Sequence, residues 1–230
     1  MQSRPFLVLI LFTLLSACAQ VPDKNGGHYE YFTFENIAKT DIDVVADTHV
    51  KQNIEQLKLL ATKLYKRNPK EWKKTQLKSR EAAIARIFMQ PFPSVNGKRS
   101  IDSIRLAFDE RYKGDRVFAY IAGLASMLTT SYNEKNDFYM LDSLDAQKLY
   151  HAARNIEVAA WLLRTKRDNH GRLFLLSASS GNTIVNRSYE RLFGKLIGQQ
   201  DTLAQIIATK THRTIKNVIQ SAAQLVFFPV

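Results

Sequence analysis

Cysteine is nearly missing from this chain. Cys18 is the only one in 230 residues, so no disulfide can form within the chain, and a folded body must hold by its core alone. Proline is missing from the long stretch between Pro93 and Pro229, which removes the commonest helix breaker from more than half of the protein. Long apolar runs are missing too. The most apolar stretch, Phe6 to Leu15, has ten residues, against the roughly 20 that a membrane-spanning helix needs. The five histidines, at positions 28, 49, 151, 170 and 212, show no His-x₃-His or His-Glu-x-x-His spacing for a metal. There is no Gly-x-Ser-x-Gly elbow, no glycine-rich phosphate loop and no 34-residue repeat. These absences exclude a disulfide scaffold, a helical membrane span, the usual zinc and nucleophile motifs and a tetratricopeptide array.

What is present begins with a leader. Arg4 supplies a short positive start, Phe6 to Leu15 an apolar centre, and Ser16-Ala17 small residues at a cut. Leu15-Ser16-Ala17-Cys18 resembles a bacterial lipobox. The resemblance covers about the first 19 residues and implies that Cys18 is acylated and becomes the new N-terminus. It carries no information about the rest of the chain. Ala19, where an aspartate would tend to mark inner-membrane retention, is similar to the outer-membrane class of such lipoproteins. Residues 1–17 are therefore expected to be a signal peptide. Ala19 to Gly27 (AQVPDKNGG) has linker composition, so residues 18–27 are read as acylated cysteine plus tether. Fully extended, nine residues reach about 30 Å. His28 to Phe34 (HYEYFTF) alternates aromatic residues and is read as an extended arm laid on the protein's own core.

From there to Val230 the apolar spacing is helical. Val50, Ile54, Leu57, Ala61 and Leu64 step by 4, 3, 4, 3, and so do Leu149, Ala153, Ile156, Ala160 and Leu163. Asn68-Pro69 should end the first of these helices. Ala82 to Phe88 is a short apolar helix, and Ser100 is read as the cap of another that Gly114 closes. Asp115 should cap Val117 to Leu128, a segment apolar on nearly every face and so a central buried helix, with Ala119 and Gly123 admitting a close neighbour. Asp142 or Ser143 should cap the Leu149 helix. From Asn186 the pattern runs almost to Val226, with a break expected at Gly198 and Asp201 and later apolar positions at Val218, Ala222 and Leu225. Leu173 to Leu176 is short enough for a strand. The expectation is an all-α, single multi-helix domain over residues 28–230, with six to eight helices and at most one or two short strands.

Charge is the other strong signal. The chain carries +12, and removing residues 1–17 takes Arg4 and no acid, leaving +11. Lys63, Lys66, Arg67, Lys70, Lys73, Lys74, Lys78 and Arg80 fall within eighteen residues and are opposed only by Glu71, with Trp72 among them. On a body tied to a bilayer, such a segment would gain about 1 kcal/mol per charge from an anionic surface. These nine residues, Trp72 included as an amphipathic ring, are the candidate binding set. Anionic lipid, lipopolysaccharide phosphates, peptidoglycan carboxylates or other envelope proteins are the candidate partners. Export argues against nucleic acid, the default for a cytosolic protein this basic.

Catalytic groups are harder to find. Ser177-Ala178-Ser179-Ser180-Gly181-Asn182 reads as a helix-capping loop. Asp41, Asp43, Asp47 and His49 read as helix N-terminal charge rather than ligands. Glu134, Asp137 and Glu157 do not declare a pair for glycoside cleavage, and Arg154 three residues before Glu157 suggests a surface ion pair. The expected function is a non-enzymatic, cofactor-free binding or scaffolding lipoprotein at the periplasmic face of the outer membrane. The alternative is a helical peptidoglycan lyase or hydrolase, which should show a deep cleft holding a carboxylate of raised pKa.

Overall fold

The computed structural model describes residues 39–140, 142–177, 187–212, 214–216 and 226–230. The signal peptide, Cys18, the tether and the aromatic arm lie outside the described residues. So do Asn186, Val218, Ala222, Leu225 and all of the serine-rich loop after Ser177. Lys39–Val230 forms one compact unit.

The fold is all-α. Its helices are α1 (Asp41–Arg67), α2 (Pro69–Lys73), α3 (Arg80–Ile87), α4 (Ser100–Leu106), α5 (Arg116–Ser131), α6 (Ala146–Thr165) and α7 (Ser188–Thr211). Among the described residues there is no strand. The Leu173 run contributes one isolated bridge, Arg167 to Leu173.

Thr40 and Asp43 start α1 with a reciprocal capping box, and the Asp43 carboxylate accepts from Thr40 N at 2.7 Å. Val50, Leu57, Ala61 and Leu64 are buried along the expected stripe, with Leu60 beside them. The helix ends at Asn68, and Pro69, which needs no N–H partner in a first turn, opens α2 at once. The chain therefore turns a corner without a loop.

α5 is the axis of the core. Every residue from Arg116 to Thr129 is buried, and α1, α3, α4 and α6 all pack against it. Asp115 caps it by accepting from Phe118 N at 2.9 Å. A Cβ on Gly123 would lie 2.7 Å from Ile104 N, so α4 rests on α5 at backbone distance. Ser103 Oγ donates to Ala119 O (2.8 Å), and Ser100 N donates to Ser126 Oγ (2.7 Å) across the same contact. α6 and α7 run antiparallel, Arg154 of α6 reaching Asp201 of α7 at 2.7 Å. A second apolar cluster joins Val50, Leu149, Leu203 and Ile207, together with Tyr132 and Phe138 from the segment after α5.

Four boundaries differ from those read in the sequence. Ser100 does not cap α4. It is the first helical residue, at φ +53°, and Arg99 precedes it without a side-chain cap. Gly114 does not close α4, which ends at Leu106, because Arg116 draws the following carbonyls of Ala107, Asp109 and Tyr112 into a turn. Asp145, not Asp142 or Ser143, caps α6 by accepting from Gln147 N at 2.8 Å. Finally, α7 runs unbroken through Gly198 and Asp201. One interior glycine costs about 1 kcal/mol against alanine, less than the buried face of Leu196, Leu203, Ala204 and Ile207 returns.

Candidate functional site

The corner at Asn68-Pro69 divides the basic segment. Lys63, Lys66 and Arg67 lie at the end of α1, while Lys70, Trp72 and Lys73 belong to α2. Lys74 caps α2, Lys78 sits in the following loop and Arg80 starts α3. Lys63 Nζ donates to Ser188 Oγ (3.1 Å), Lys74 Nζ to both oxygens of Glu71 (2.7 and 2.8 Å), and Arg80 to Glu81 (2.6 Å). Lys66, Arg67, Lys70, Lys73 and Lys78 are exposed. Trp72 is partly buried against the core, with Lys73 Nζ 5.8 Å from its ring centre.

Beside the corner opens a cleft of about 730 Å³. Arg67, Lys70 and Glu71 form one wall. Glu110, Lys113 and Arg116 form the second, and Asp168, Arg172, Phe174 and Leu176, from the segment after α6, the third. Each acid here already has partners. Glu71 Oε2 accepts from Arg116 N at 2.7 Å in addition to Lys74. Glu110 accepts from Asn169 N at 2.6 Å. Asp168 accepts from the N–H groups of His170 and Arg172, both at 2.9 Å, and from the Arg172 guanidinium. These bonds hold the Asp168 carboxyl below its usual range, the Arg172 N–H contributing most.

The cations are less fully answered. Arg116 is buried, yet its guanidinium donates to carbonyls alone: Ala107 (2.7 Å), Asp109 (2.9 Å) and Tyr112 (2.7 Å). It lies over the Phe174 ring at 4.6 Å. Burial pushes its pKa down, with Glu71 the leading opposing charge. Lys113 Nζ donates to the Glu110 carbonyl at 3.1 Å. Among the described residues neither Arg116, Lys113 nor Lys70 has a carboxylate within ion-pair distance. The cleft therefore presents positive charge that its own acids do not cancel.

Beneath it, Glu71 and Asp115 together fix the start of α5. Asp115 takes Phe118 N and the Tyr65 hydroxyl (2.7 Å), and Glu71 takes Arg116 N. Burial raises the carboxyl of Asp115 and, more strongly, the phenol of Tyr65.

Lys113, Arg116 and Arg172 were not singled out in the sequence. The available signal was Arg116 itself, a single cation directly after a cap and at the head of a helix otherwise apolar all round.

Among the remaining sequence candidates, Asp47 and Asp137 share Lys39, with Asp137 at 3.9 Å. Asp43 belongs to the capping box of α1. Asp47 accepts from Phe138 N at 2.8 Å and pairs with Lys39, and His49 Nδ1 meets Gln199 O at 3.1 Å. Glu134 pairs with Arg99 (3.2 Å), while Arg154 bridges Glu157 (3.0 Å) and Asp201. Among the described residues no three His, Cys, Asp or Glu side chains gather as metal ligands, and no helix is long and apolar enough to cross a membrane. No family model matches the chain, and no curated protein or solved structure is similar enough to count as a relative.

Proposed function

We propose that this protein is a lipid-anchored envelope component, held through Cys18 at the periplasmic face of the outer membrane, where it binds anionic groups without catalysing a reaction. The observation that carries the reading is the run of exposed Lys66, Arg67, Lys70, Lys73 and Lys78, of which Arg67 and Lys70 line a cleft whose acids are already partnered. Attraction to an anionic surface sums over such charges and falls off within a Debye length, so a short tether keeps it effective.

Vesicle binding by a chain lacking residues 1–27 tests this. Vesicles with anionic lipid should bind it and neutral ones should not. Replacing Lys66, Lys70 and Lys73 together by glutamine should weaken binding about a hundredfold at low salt, at about 1 kcal/mol per charge. Lys74 is left intact because it holds Glu71 against α5. Equal binding of the triple variant would refute the reading.

A second reading, a helical glycan-cleaving enzyme, draws on one observation. The Glu157 carboxyl is raised by burial, against the pull of Arg154, and it lines a separate pocket between α6 and α7. Release of fragments from purified peptidoglycan, lost in Glu157→Gln, would favour it.

A further inference from the structure

Five cationic and three acidic side chains line the cleft at the α1–α2 corner, an excess of two positive charges. The guanidinium groups among them are already engaged. Both terminal nitrogens of Arg116 donate to carbonyls, Nη1 to Ala107 and Asp109 and Nη2 to Tyr112. Arg172 grips Asp168 through Nε (2.9 Å) and Nη2 (2.8 Å), and Arg67 has a contact of its own. The ammonium groups of Lys70 and Lys113 have protons left to give. Both side chains are exposed, Lys70 on the α2 wall and Lys113 on the segment before α5. Lys113 Nζ gives one proton to the Glu110 carbonyl at 3.1 Å and keeps two.

The kind of donor selects the kind of anion. A carboxylate is held best by a guanidinium fork, in two parallel hydrogen bonds. An ammonium is a compact point charge with three donors and a regular phosphate binder. Two such groups on different walls can take different oxygens of one tetrahedral group. The charge matches too, since a phosphate monoester carries about −1.5 to −2 at pH 7 and a carboxylate only one. The third wall is apolar in part. Phe174 is half-buried with the Arg116 guanidinium 4.6 Å from its ring centre, and Leu176, two residues on, is 42 % exposed. At about 730 Å³ the cleft has room for the body that carries the phosphate.

We propose, building on the anionic-contact reading, that this cleft is a site for a phosphate monoester, selected over carboxylates by Lys70 and Lys113. Among envelope anions this points to phosphoryl groups and away from the carboxylates of peptidoglycan. Lys66, Lys73 and Lys78 do not line the cleft, so cleft and charged surface are separable.

The test uses the full chain in neutral detergent, titrated calorimetrically with glucose 1-phosphate, with glucuronate, and with micelles carrying phosphatidic acid or phosphatidylglycerol. Glucose 1-phosphate should bind saturably and at least about tenfold more tightly than glucuronate, a similar ring bearing a carboxylate. Replacing Lys70 and Lys113 together by glutamine should weaken that binding at least about tenfold. Replacing Lys66 and Lys73 instead should leave it within about twofold while weakening binding to anionic vesicles. Both double variants should melt with the parent, because all four lysines are exposed. Preference for phosphatidic acid, a monoester, over phosphatidylglycerol, a diester, at equal net charge assigns the ligand to lipid. Saturation by glucose 1-phosphate without that preference assigns it to a soluble ester. Absence of saturable binding with both monoesters would overturn the proposal, as would equal binding of glucuronate or binding that survives loss of Lys70 and Lys113. A chain that fails these tests yet binds anionic vesicles keeps the charged surface and loses the cleft.

Discussion

The N–H of Arg116 and that of Phe118 end on two different carboxylates, Glu71 and Asp115. This one residue pair ties α2 to the start of α5 and so gives the basic corner a fixed backing. The Arg116 guanidinium works on the other side, holding the carbonyls that follow α4 while its charge faces the cleft. His49 yields the clearest prediction at this scale. Burial lowers its pKa below the ordinary 6.5, with the Gln199 carbonyl opposing, so the folded state resists protonation that the unfolded chain accepts. Its contribution is fully present above pH 6.5 and is lost as pH falls toward the depressed folded value. Thermal melting followed from pH 7.5 downward should show a loss of stability beginning near 6.5. The slope should be shallower in His49→Gln, and an identical slope in both proteins would remove His49 from the account.

Among the helices, the α4–α5 contact leaves least room. The Cβ site of Gly123 is 2.7 Å from Ile104 N and 2.9 Å from Ser100 O, and backbone cannot step aside as a side-chain tip can. Gly123→Leu should destabilise the domain by about 3 kcal/mol or more, at or beyond the upper end of the usual cost of overpacking, measured by chemical denaturation. A change under 0.5 kcal/mol would mean that α4 can move away freely. This contact was legible in the sequence because a small residue inside a helix apolar on every face has few other uses. The stripes of α1 and α6 were legible because burial on one face leaves a 3.6-residue period. Other elements were hidden for physical reasons. Gly198 reads as a break by local propensity, and the packed face of α7 overrides it. Gly114 reads as a helix stop, yet the real stop of α4 is made by a guanidinium ten residues beyond Leu106. The C-terminal segment docks on α6 through paired bonds of Phe228 with Asn155 (2.7 and 2.8 Å), which no local pattern announces. Only two cations of the cleft lay in the visible basic run, because its walls come from three segments far apart in sequence.

For the whole molecule, the proposal joins a lipid at one end to a positive surface on the folded unit. The lipid half predicts that Cys18→Ser abolishes labelling by a fatty-acid analogue and releases the protein from membranes. Membrane retention of an unlabelled variant would show a different anchor. The charged half is tested by salt dependence. Binding of the chain lacking residues 1–27 to anionic vesicles should be measured from about 20 to 500 mM salt, over which the Debye length shrinks from about 20 Å to below 5 Å. Strong binding is expected at the low end, then a continuous steep decline and near loss at the high end, with the Lys66/Lys70/Lys73→Gln variant starting lower and declining less. Binding that is absent at 20 mM, or that is unchanged across the range, would contradict it.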